Sequence, residues 1–574
     1  LYSGANRAGA IYCSSGQMQI EASYFEGNNG MLGGGAIVAQ NADVHIFESV
    51  FENNSVSSYG SGGAIYSSGG SLIIDRSKFL YNQTDYNGTN SEGSALCVYG
   101  YFKLTNSLVA RNRGYRYPGI YYAGDDSLIV EHSTIVFNDA NYESYDGGAD
   151  IYFGSGSTAT YVIKNSILNS WSNTNGSSVT PILENVYSSE NAALFLSHDN
   201  SNYHDDDYRL SVHSPCIGYG GPTDLEYDLI GNPRINPGGS SPDVGCYETP
   251  LGEPLNSNSI LYVYTTGNDS SGFGSIENPF ATLRVAIANS ANGDTIIVGD
   301  GDYFDNDIIN VDKSIYIRSI SGSSLTSLSG AGNGILNITE ESNDFTIEGF
   351  QLTSNGGSNA FSCSGDEDIV ELIDVSVDGD ISSNQSDLIL DGFYSTSQIL
   401  VSCGATDGGS IYQFNDINIS RETGDIITYS RTGSDYYVNW VFDFNITNST
   451  LSTSSSSSFL NHADNMHQNQ YPRLSTLSNC YVKGRISESS ISSFYADYCV
   501  FEEGSFSLRA FSTSAYVGIS NCVFYNCSSF HTDGNTSNSM ENSIIWPSLN
   551  YTVEGNGEPG TFSYTLNSPF YGLG

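Results

Sequence analysis

An imperfect internal repeat is the feature of this sequence that most constrains its fold. Each copy places a serine, an apolar residue two positions later and an asparagine five positions later, as in Ile20–Asn28. Six copies of the serine occur at Ser23, Ser49, Ser77, Ser107, Ser133 and Ser166, separated by 26, 28, 30, 26 and 33 residues. Five of them keep the asparagine, at Asn28, Asn54, Asn82, Asn112 and Asn138. A constant core with variable spacing is typical of a coil whose strands are fixed and whose turns tolerate insertions.

A second short element precedes each copy, so each coil carries at least two strands. It reads Gly-Ala-Ile at residues 9–11, 35–37 and 63–65 and recurs in altered form three more times. The serine and the apolar residue two positions later share one strand face, which we expect to point inward. When coils stack, equivalent serines, aromatic rings and asparagines lie above one another as ladders. Asparagine also suits the bend after the strand, because it tolerates left-handed backbone angles.

The same pattern returns in the second half of the chain, for example at Ile347–Asn355. Near the C-terminal end its small inward residue changes to cysteine, at Cys480, Cys499 and Cys522. Stacked inward side chains run parallel, which favours buried free thiols over disulfides at these positions. The sequence therefore predicts an all-β protein with two tandem right-handed parallel β-helices, residues 1–170 and 258–574, joined by a cap and linker at 171–257.

Charge and hydropathy exclude two classes of partner. The chain has 19 basic and 63 acidic residues and a formal charge of -44, which opposes binding to nucleic acid or to anionic lipid. No run of eighteen apolar residues is present, so no membrane span is expected. The charge serves either solubility or divalent-cation binding. Residues 1–20 lack a secretion signal, and we expect the sequence to be a fragment whose signal lies upstream.

Three segments carry resemblances to known families. The segment between the β-helices contains Ser214-Pro215, Gly231-Asn-Pro-Arg234 and Gly245-Cys-Tyr-Glu248, and it resembles the closing cap of bacterial choice-of-anchor surface proteins. The Gly-Gly-Ala-Ile and Phe-x-x-Asn elements resemble the repeats of polymorphic outer-membrane proteins. Residues 260–304 resemble the opening of pectate-lyase-like β-helices, with a capping helix at 281–291. The end of the chain, from Tyr564 to Gly572, echoes the start of the first cap, which implies a second, truncated cap. These resemblances imply an extracellular, bacterial-type surface protein.

Candidate sites are few. Arg111, Arg113, Tyr115, Arg116 and Tyr117 lie in a turn between coils, where aromatic faces and arginine forks suit a polysaccharide or cell-surface glycan. Asp300, Asp302, Asp305 and Asp307 offer hard oxygens for calcium, the one possible cofactor, although such residues also serve turns. Cys216 and Cys246, both in the cap, are the single disulfide candidate.

The sequence leaves two classes of function open. The repeats favour a surface or fibre element that is structural or adhesive, with glycans or further copies of such modules as partners. The alternative is a lyase or glycoside hydrolase acting on acidic polysaccharide. Gly124-Asp125-Asp126 resembles the aspartate pair of polygalacturonases, but the Gly-His-Gly motif is absent from the sequence. No catalytic residue is therefore assigned.

Overall fold

The structure is a computed structural model, and the residues that it describes are 8–31, 33–57, 60–84, 92–114, 117–140, 149–154, 160–173, 180–189, 193–197, 206–331, 334–339, 344–354, 359–365, 369–384, 386–395, 398–403, 410–421, 426–431, 442–453, 458–462, 474–488, 493–510, 516–534, 537–541, 543–546, 550–554 and 561–563. The echo of the cap at Tyr564 to Gly572 lies outside them. The chain divides into two compact units, Leu1–Asn256 and Ser257–Gly574. Each unit is described by itself below.

The strands of the first unit are β1 Ile11–Cys13, β2 Gly16–Glu21, β3 Tyr24–Glu26, β4 Asn29–Gly30, β5 Ile37–Gln40, β6 Ala42–Phe47, β7 Val50–Glu52, β8 Ser55–Val56, β9 Ile65–Asp75, β10 Lys78–Leu80, β11 Leu96–Thr105, β12 Leu108–Ala110, β13 Arg113–Gly114, β14 Ile120–Tyr122, β15 Leu128–Glu131, β16 Thr134–Val136, β17 Asp139–Ala140, β18 Ile151–Phe153, β19 Tyr161–Lys164, β20 Ile167–Leu168, β21 Trp171–Asn173, β22 Ile182–Glu184, β23 Phe195–Ser197 and β24 Asp207–Leu210.

Parallel pairing between successive coils builds the first unit. A 12-stranded sheet contains the Gly-Ala-Ile strands and the strands that precede each serine, and a 6-stranded sheet contains β3, β7, β10, β12, β16 and β20. Equivalent residues pair in register, as Phe79 does with Phe51 on one side and Val109 on the other. This is the stacking expected of a parallel β-helix, and it confirms the predicted fold class. The large sheet continues beyond residue 170, because β21 pairs with β18 and β22 with β19.

The second unit contains α1 Leu283–Asn289 and the strands β25 Ile260–Val263, β26 Thr295–Val298, β27 Gly301–Asp305, β28 Ile309–Val311, β29 Tyr316–Ser319, β30 Thr326–Gly330, β31 Leu336–Ile338, β32 Asp344–Glu348, β33 Gln351–Ser354, β34 Asn359–Ser364, β35 Ile369–Ile373, β36 Ser376–Asp378, β37 Asp380–Asn384, β38 Asp387–Asp391, β39 Tyr394–Ser395, β40 Ile399–Cys403, β41 Ser410–Asn415, β42 Asn418–Ser420, β43 Ile427–Arg431, β44 Phe442–Thr447, β45 Thr450–Ser452, β46 Ser458–His462, β47 Leu474–Ser478, β48 Tyr481–Lys483, β49 Arg485–Glu488, β50 Ser493–Asp497, β51 Val500–Glu502, β52 Ser505–Ala510, β53 Tyr516–Ser520, β54 Val523–Tyr525, β55 Ser529–Gly534, β56 Ser537–Glu541, β57 Ile544–Trp546, β58 Asn550–Glu554 and β59 Thr561–Ser563.

Three parallel sheets of 13, 11 and 11 strands form the described part of the second unit. Each coil from β26 to β58 contributes one strand to each sheet, and β25 and β59 belong to the 13-stranded sheet alone. The predicted capping helix is confirmed as α1. The hydroxyl of Thr282 caps it by accepting a hydrogen bond from the N–H of Val285. Leu283, Ala286 and Ile287 are buried on the face that packs against β25 and β26. The helix therefore covers the first strands of this unit with an apolar face.

The serine column of the first unit is a continuous hydrogen-bonded ladder. The hydroxyl of Ser77 donates to the carbonyl of Asp75 at 3.0 Å and accepts from the N–H of Ser49 at 3.1 Å. The same two bonds recur at Ser49, Ser107, Ser133 and Ser166. Each hydroxyl thus ties its own strand end to the neighbouring coil.

The asparagine column forms a second ladder in the same unit. The side-chain oxygen of Asn82 accepts from the backbone and side-chain N–H groups of Asn54, at 3.1 and 2.9 Å. Its side-chain amide donates to the carbonyl of Phe51 and to the side-chain oxygen of Asn112. Asn138 ends the row by donating to a carboxylate oxygen of Asp150. Repetition of these bonds satisfies buried polar groups at every coil.

The left-handed corners lie one residue before the ladder positions, not at the asparagines as the sequence suggested. Glu48, Arg76 and Asn106 have φ of 47°, 45° and 46° and precede serines. Asn53 and Tyr81, with φ of 55° and 57°, precede asparagines. Because the preceding residue makes the bend, the ladder side chain is free to turn inward.

In the second unit cysteines occupy the column that serines occupy in the first. The thiols of Cys480, Cys499 and Cys522 donate to carbonyl oxygens two residues earlier at 3.2, 3.3 and 3.0 Å. All three are free and buried. The thiol therefore makes the strand-end bond that the hydroxyl makes elsewhere, with weaker donors.

The segment after the last coil covers the side of the first β-helix. We call its described residues between 185 and 256 the side cap. Its buried Phe195, Leu229 and Cys246 pack in one core cluster with Leu108 and Val136, which point outward from β12 and β16. The sequence placed this segment over the open end of the β-helix. The structure instead has it on the outer face of the 6-stranded sheet.

A buried ion pair holds the side cap in place. Arg234 donates to Glu248 at 3.1 Å, and both side chains are 0% exposed. The same guanidinium donates to the side chain of Asn106, at a corner of the β-helix, and to the carbonyl of Gly245. Since both charges are buried, removal of either leaves the other unpaired. The Gly-Asn-Pro-Arg and Gly-x-Tyr-Glu motifs thus fasten the side cap to the coils.

Among the residues that the structure describes, no helix is long and apolar enough to span a membrane.

Candidate functional site

The outer face of the 12-stranded sheet carries a cluster of aromatic side chains. Strand alternation turns the residue after each inward isoleucine or leucine outward. Tyr66, Cys97, Tyr121 and Tyr152 hold that position in four successive coils and pair in register. We call Tyr66, Tyr99, Tyr117, Tyr121 and Tyr152 the tyrosine cluster. It is separate from the core inside the coils.

The rings of the tyrosine cluster form a connected surface. Tyr99 lies 5.9 Å from both Tyr66 and Tyr121, measured between ring centroids, in tilted arrangements. Tyr121 and Tyr152 are stacked, with 11° between their planes, and Tyr117 stacks on both. Tyr121 and Tyr152 are buried, whereas the other three rings are half-buried. The cluster therefore exposes part of three rings to solvent, and these rings pack on the two buried ones.

One carboxylate lies within the cluster. The phenol of Tyr99 donates to Glu92 at 3.0 Å. Burial, and then the neighbouring Cys97 and the charge of Glu92, raise the pKa of Tyr99, and burial also raises the pKa of Tyr66 and of Tyr121. The phenols consequently remain protonated donors across the neutral range. Cys97, which is fully buried beneath them, has a raised pKa for the same reason and stays a thiol.

The predicted glycan-binding residues divide among three places. Arg111 donates to Asp206 at 2.7 Å and lies over the ring of Phe137, so it is committed to the side-cap region. Arg113 is exposed and pairs with Asp139 at 3.2 Å. Tyr117 joins the tyrosine cluster. Tyr115 and Arg116 lie outside the described residues.

The predicted calcium carboxylates are spread along one strand and its flanks. Asp302 points outward from β27 and accepts a hydrogen bond from Ser327. Asp305 pairs with Arg284 at 2.6 Å. Asp300 and Asp307 are exposed at the strand ends. Within the described part of the chain, no three His, Cys, Asp or Glu side chains gather into a group that could hold a metal ion.

The predicted disulfide between Cys216 and Cys246 is absent, and both residues are free thiols in the core of the side cap. Burial raises the pKa of each thiol to about 12. Their physical role here is that of small apolar side chains that fill space beneath the cap. Their spacing can be read from the sequence, but the direction of either side chain cannot.

The aspartate pair considered for hydrolysis is exposed. Asp125 and Asp126 lie in the turn between β14 and β15, and the side chain of Asp126 accepts from the N–H of Ser127. The phenol of Tyr122 donates to the carbonyl of Asp126. These contacts serve the turn and bring no second catalytic group to the pair.

Sequence reasoning missed the tyrosine cluster because it followed the inward positions. The signal was the residue after each Gly-Ala-Ile element, which is tyrosine in four coils, at Tyr12, Tyr66, Tyr121 and Tyr152. The side-cap surface had a similar signal. Outward positions of the 6-stranded sheet change from Tyr24 and Glu26 in the first coil to apolar residues in later coils.

Comparisons with known proteins identify similar solved structures only at low similarity. No protein-family model matches the chain, and no curated protein matches it. Pectin methylesterase PemA from Erwinia chrysanthemi has 13% identity and a TM-score of 0.21, covering 50% of this chain and 81% of that one. Pectate lyase Pel9A has 12% identity and a TM-score of 0.27, covering 55% and 81%. A PL6 family alginate lyase, AlyGC, has 12% identity and a TM-score of 0.24, covering 96% and 77%. Likeness at this level says nothing of activity.

Proposed function

We propose that this chain is an extracellular β-helix protein that binds polysaccharide on the outer face of its first unit. The observation that carries the proposal is the tyrosine cluster, in which three half-buried rings lie on two buried ones and the carboxylate of Glu92 accepts from Tyr99. Aromatic faces pack on the C–H faces of sugar rings, and phenols and a carboxylate can bond to sugar hydroxyls. Binding sites commonly combine such apolar surfaces with a few fixed polar groups.

Binding to a panel of soluble polysaccharides, measured by affinity electrophoresis and calorimetry, tests the proposal. Replacement of Tyr99 by alanine removes a ring and the partner of Glu92. It should weaken binding by about tenfold, which corresponds to about 1.4 kcal/mol. Tyr12→Ala is the matched control, since Tyr12 is an exposed tyrosine of the same sheet face, 46% exposed and outside the cluster. Equal losses in both variants, or no binding by the parent protein, would contradict the proposal.

Cleavage of a polysaccharide is the second candidate, and it corresponds to the alternative function weighed from the sequence. The similar solved structures include enzymes named for pectin, pectate and alginate. Incubation with each polysaccharide, followed by detection of unsaturated products, reducing ends and released methanol, separates the two candidates. Turnover that persists in Tyr99→Ala would assign the reaction to another part of the chain.

A surface location is part of the same proposal. The repeats resemble those of polymorphic outer-membrane proteins, and the side cap resembles a choice-of-anchor segment. Both resemblances, together with a strongly acidic composition, support export and display outside a cell. Protease treatment of intact cells that express the parent protein, followed by immunodetection of this region, tests it. Protection in intact cells, with digestion after lysis, would contradict surface display.

A further inference from the structure

We infer that the tyrosine cluster selects uncharged sugars over uronate or sulfated sugars, and that Glu92 sets this preference. The inference rests on the proposed function and names its ligand class. It differs from the acidic polysaccharides weighed from the sequence.

The position of Glu92 is held by three contacts. Its carboxylate accepts from Tyr99 at 3.0 Å. Its backbone N–H donates to the hydroxyl of Ser61 at 3.1 Å, and its carbonyl accepts from the N–H of Gly62 at 3.0 Å. Anchored backbone on both sides leaves the carboxylate little freedom to swing away from the rings. A bound sugar therefore meets this negative group at a fixed place.

The charge of Glu92 acts across the cluster. After burial, it is among the causes that raise the pKa of Tyr66, Tyr99 and Tyr121. A ligand carboxylate or sulfate placed on these rings would meet the same repulsion that disfavours the phenolate form. Partial burial strengthens such repulsion, because the surroundings screen it less than bulk water does.

The two described arginines of the turn that leads to Tyr117 are each paired with a carboxylate. Arg111 is bound to Asp206 and Arg113 to Asp139. Recognition of a uronate by the largely buried Arg111 would compete with its pair to Asp206. The chain as a whole has a formal charge of -44, which adds a repulsive long-range field against polyanions. Uncharged sugars meet none of these costs.

The same groups can recognise an uncharged sugar directly. A carboxylate accepts hydrogen bonds from two neighbouring hydroxyls, and phenols can donate to or accept from others. The half-buried rings of Tyr66, Tyr99 and Tyr117 supply the stacking surface. A polymer that lies along the sheet could contact rings from several coils, which are about 4.8 Å apart.

Calorimetric titration tests the preference with purified hexasaccharides. The uncharged probes are cellohexaose, mannohexaose and xylohexaose, and the uronate probes are hexagalacturonate and hexameric alginate. The protein should bind at least one uncharged probe at least about tenfold more tightly than either uronate. Because neither partner's charge drives binding, the preferred affinity should change less than about twofold between about 50 and about 500 mM NaCl.

Glu92→Gln removes the charge and keeps the size of the side chain. It should reduce the ratio of uncharged to uronate affinity by about tenfold. Glu52→Gln is the matched control, since Glu52 also accepts from a tyrosine, Tyr24, but lies outside the cluster. The control should leave the ratio unchanged. Thermal unfolding by circular dichroism checks that both variants remain folded.

The outcomes separate the inference from the proposed function. Tight uronate binding that requires Tyr99, or a ratio unchanged by Glu92→Gln, would overturn the preference and leave polysaccharide binding standing. Absence of binding to both probe classes and to the polysaccharide panel would overturn both.

Discussion

Each side chain of the asparagine ladder forms hydrogen bonds with the coils on both sides of it, so its removal breaks bonds to two neighbouring coils. Asn82 accepts two hydrogen bonds from Asn54 and donates to Phe51 and Asn112. Asn82→Ala leaves buried donors and a carbonyl unsatisfied. We expect it to lower the free energy of unfolding by about 3 kcal/mol. Urea denaturation followed by circular dichroism measures the change.

Asn28→Ala is the control for this prediction. Asn28 lies in an outer coil, is half-buried, and its amide donates to Asn54 alone among the described ladder residues. Its loss should cost less than about 1 kcal/mol. Similar costs at the two positions would show that the ladder bonds are not what stabilises the coil.

His132 should make the first unit sensitive to acid. Its Nδ1–H donates to the carbonyl of Asp243 at 3.1 Å, and its Nε2 accepts from the side-chain amide of Asn165 at 3.0 Å. A second ring proton would face that amide N–H. Burial, and then the charge of Arg234, lower the pKa of His132 from 6.5 to about 2. The neutral ring is therefore required in the folded state.

A depressed pKa gives stability that is present above the unfolded pKa and is lost as pH falls. Between pH 6.5 and about 2 the loss should approach about 1.4 kcal/mol per pH unit. Asp243 acts in the opposite direction, because burial raises its pKa from 3.8 to about 7. Comparison with His132→Asn, which suits the left-handed corner at this position, isolates the histidine. A variant with the same pH slope as the parent would contradict this assignment.

At the residue scale, the sequence predicted the inward columns because their pattern is local. A serine or phenylalanine with period two reveals its face without knowledge of its neighbours. The partners of Arg111, Cys216 and Cys246 lie far away in the chain, and no periodicity links them. The ladders were therefore predicted correctly from the sequence. The disulfide was misassigned, and the partners of the arginines could not be predicted.

At the scale of elements, the side cap depends on the apolar outer face of the 6-stranded sheet. Val136 points outward from β16 and is 0% exposed, because the side cap covers it. Val136→Asp would bury a charge without a partner. We expect the free energy of unfolding of the first unit to fall by more than about 3 kcal/mol, measured by urea denaturation.

Val50→Asp supplies the comparison on the same sheet. Val50 also points outward, from β7, and it lies outside the cluster that contains the side cap. The aspartate at this position stays in contact with water and should cost less than about 1 kcal/mol. Equal destabilisation by the two variants would indicate that the side cap does not protect Val136 in solution.

The position of the side cap was beyond reach of the repeat pattern. An end cap and a side cap have the same motifs, and they differ only in which surface of the coils is apolar on the outside. The outward apolar residues Leu108, Val136 and Ile167 mark the covered face. Three such positions are hard to recognise in a repeat whose turns vary in length. Helix α1 was easier to predict than the position of the side cap, because Leu283, Ala286 and Ile287 follow a helical period.

At the scale of the whole molecule, the excess of 63 acidic over 19 basic residues makes the carboxylates repel one another in the folded state. Salt should therefore raise the melting temperature. The carboxylates at residues 300–307 form no group of three around a common point in the described part of the chain. We expect Ca²⁺ and Mg²⁺ at equal concentration to raise the melting temperature equally, within about 1 °C, by screening and diffuse binding.

Differential scanning calorimetry at matched ionic strength measures this effect. Selective stabilisation by Ca²⁺, reversed by a calcium chelator and absent in Asp300→Asn with Asp302→Asn, would instead support calcium binding at these carboxylates. NaCl at the same ionic strength supplies the baseline for screening alone.

The contacts of the side cap also impose an order on synthesis of the chain. Arg234, which is paired with Glu248, donates to Asn106, a residue 128 positions earlier in the chain. Coils can begin to stack as they leave the ribosome. The apolar outer face of the 6-stranded sheet, however, remains exposed to solvent until translation has passed residue 248. During that interval the nascent chain exposes an apolar, aggregation-prone surface, and this is the stage at which we expect a chaperone to bind it.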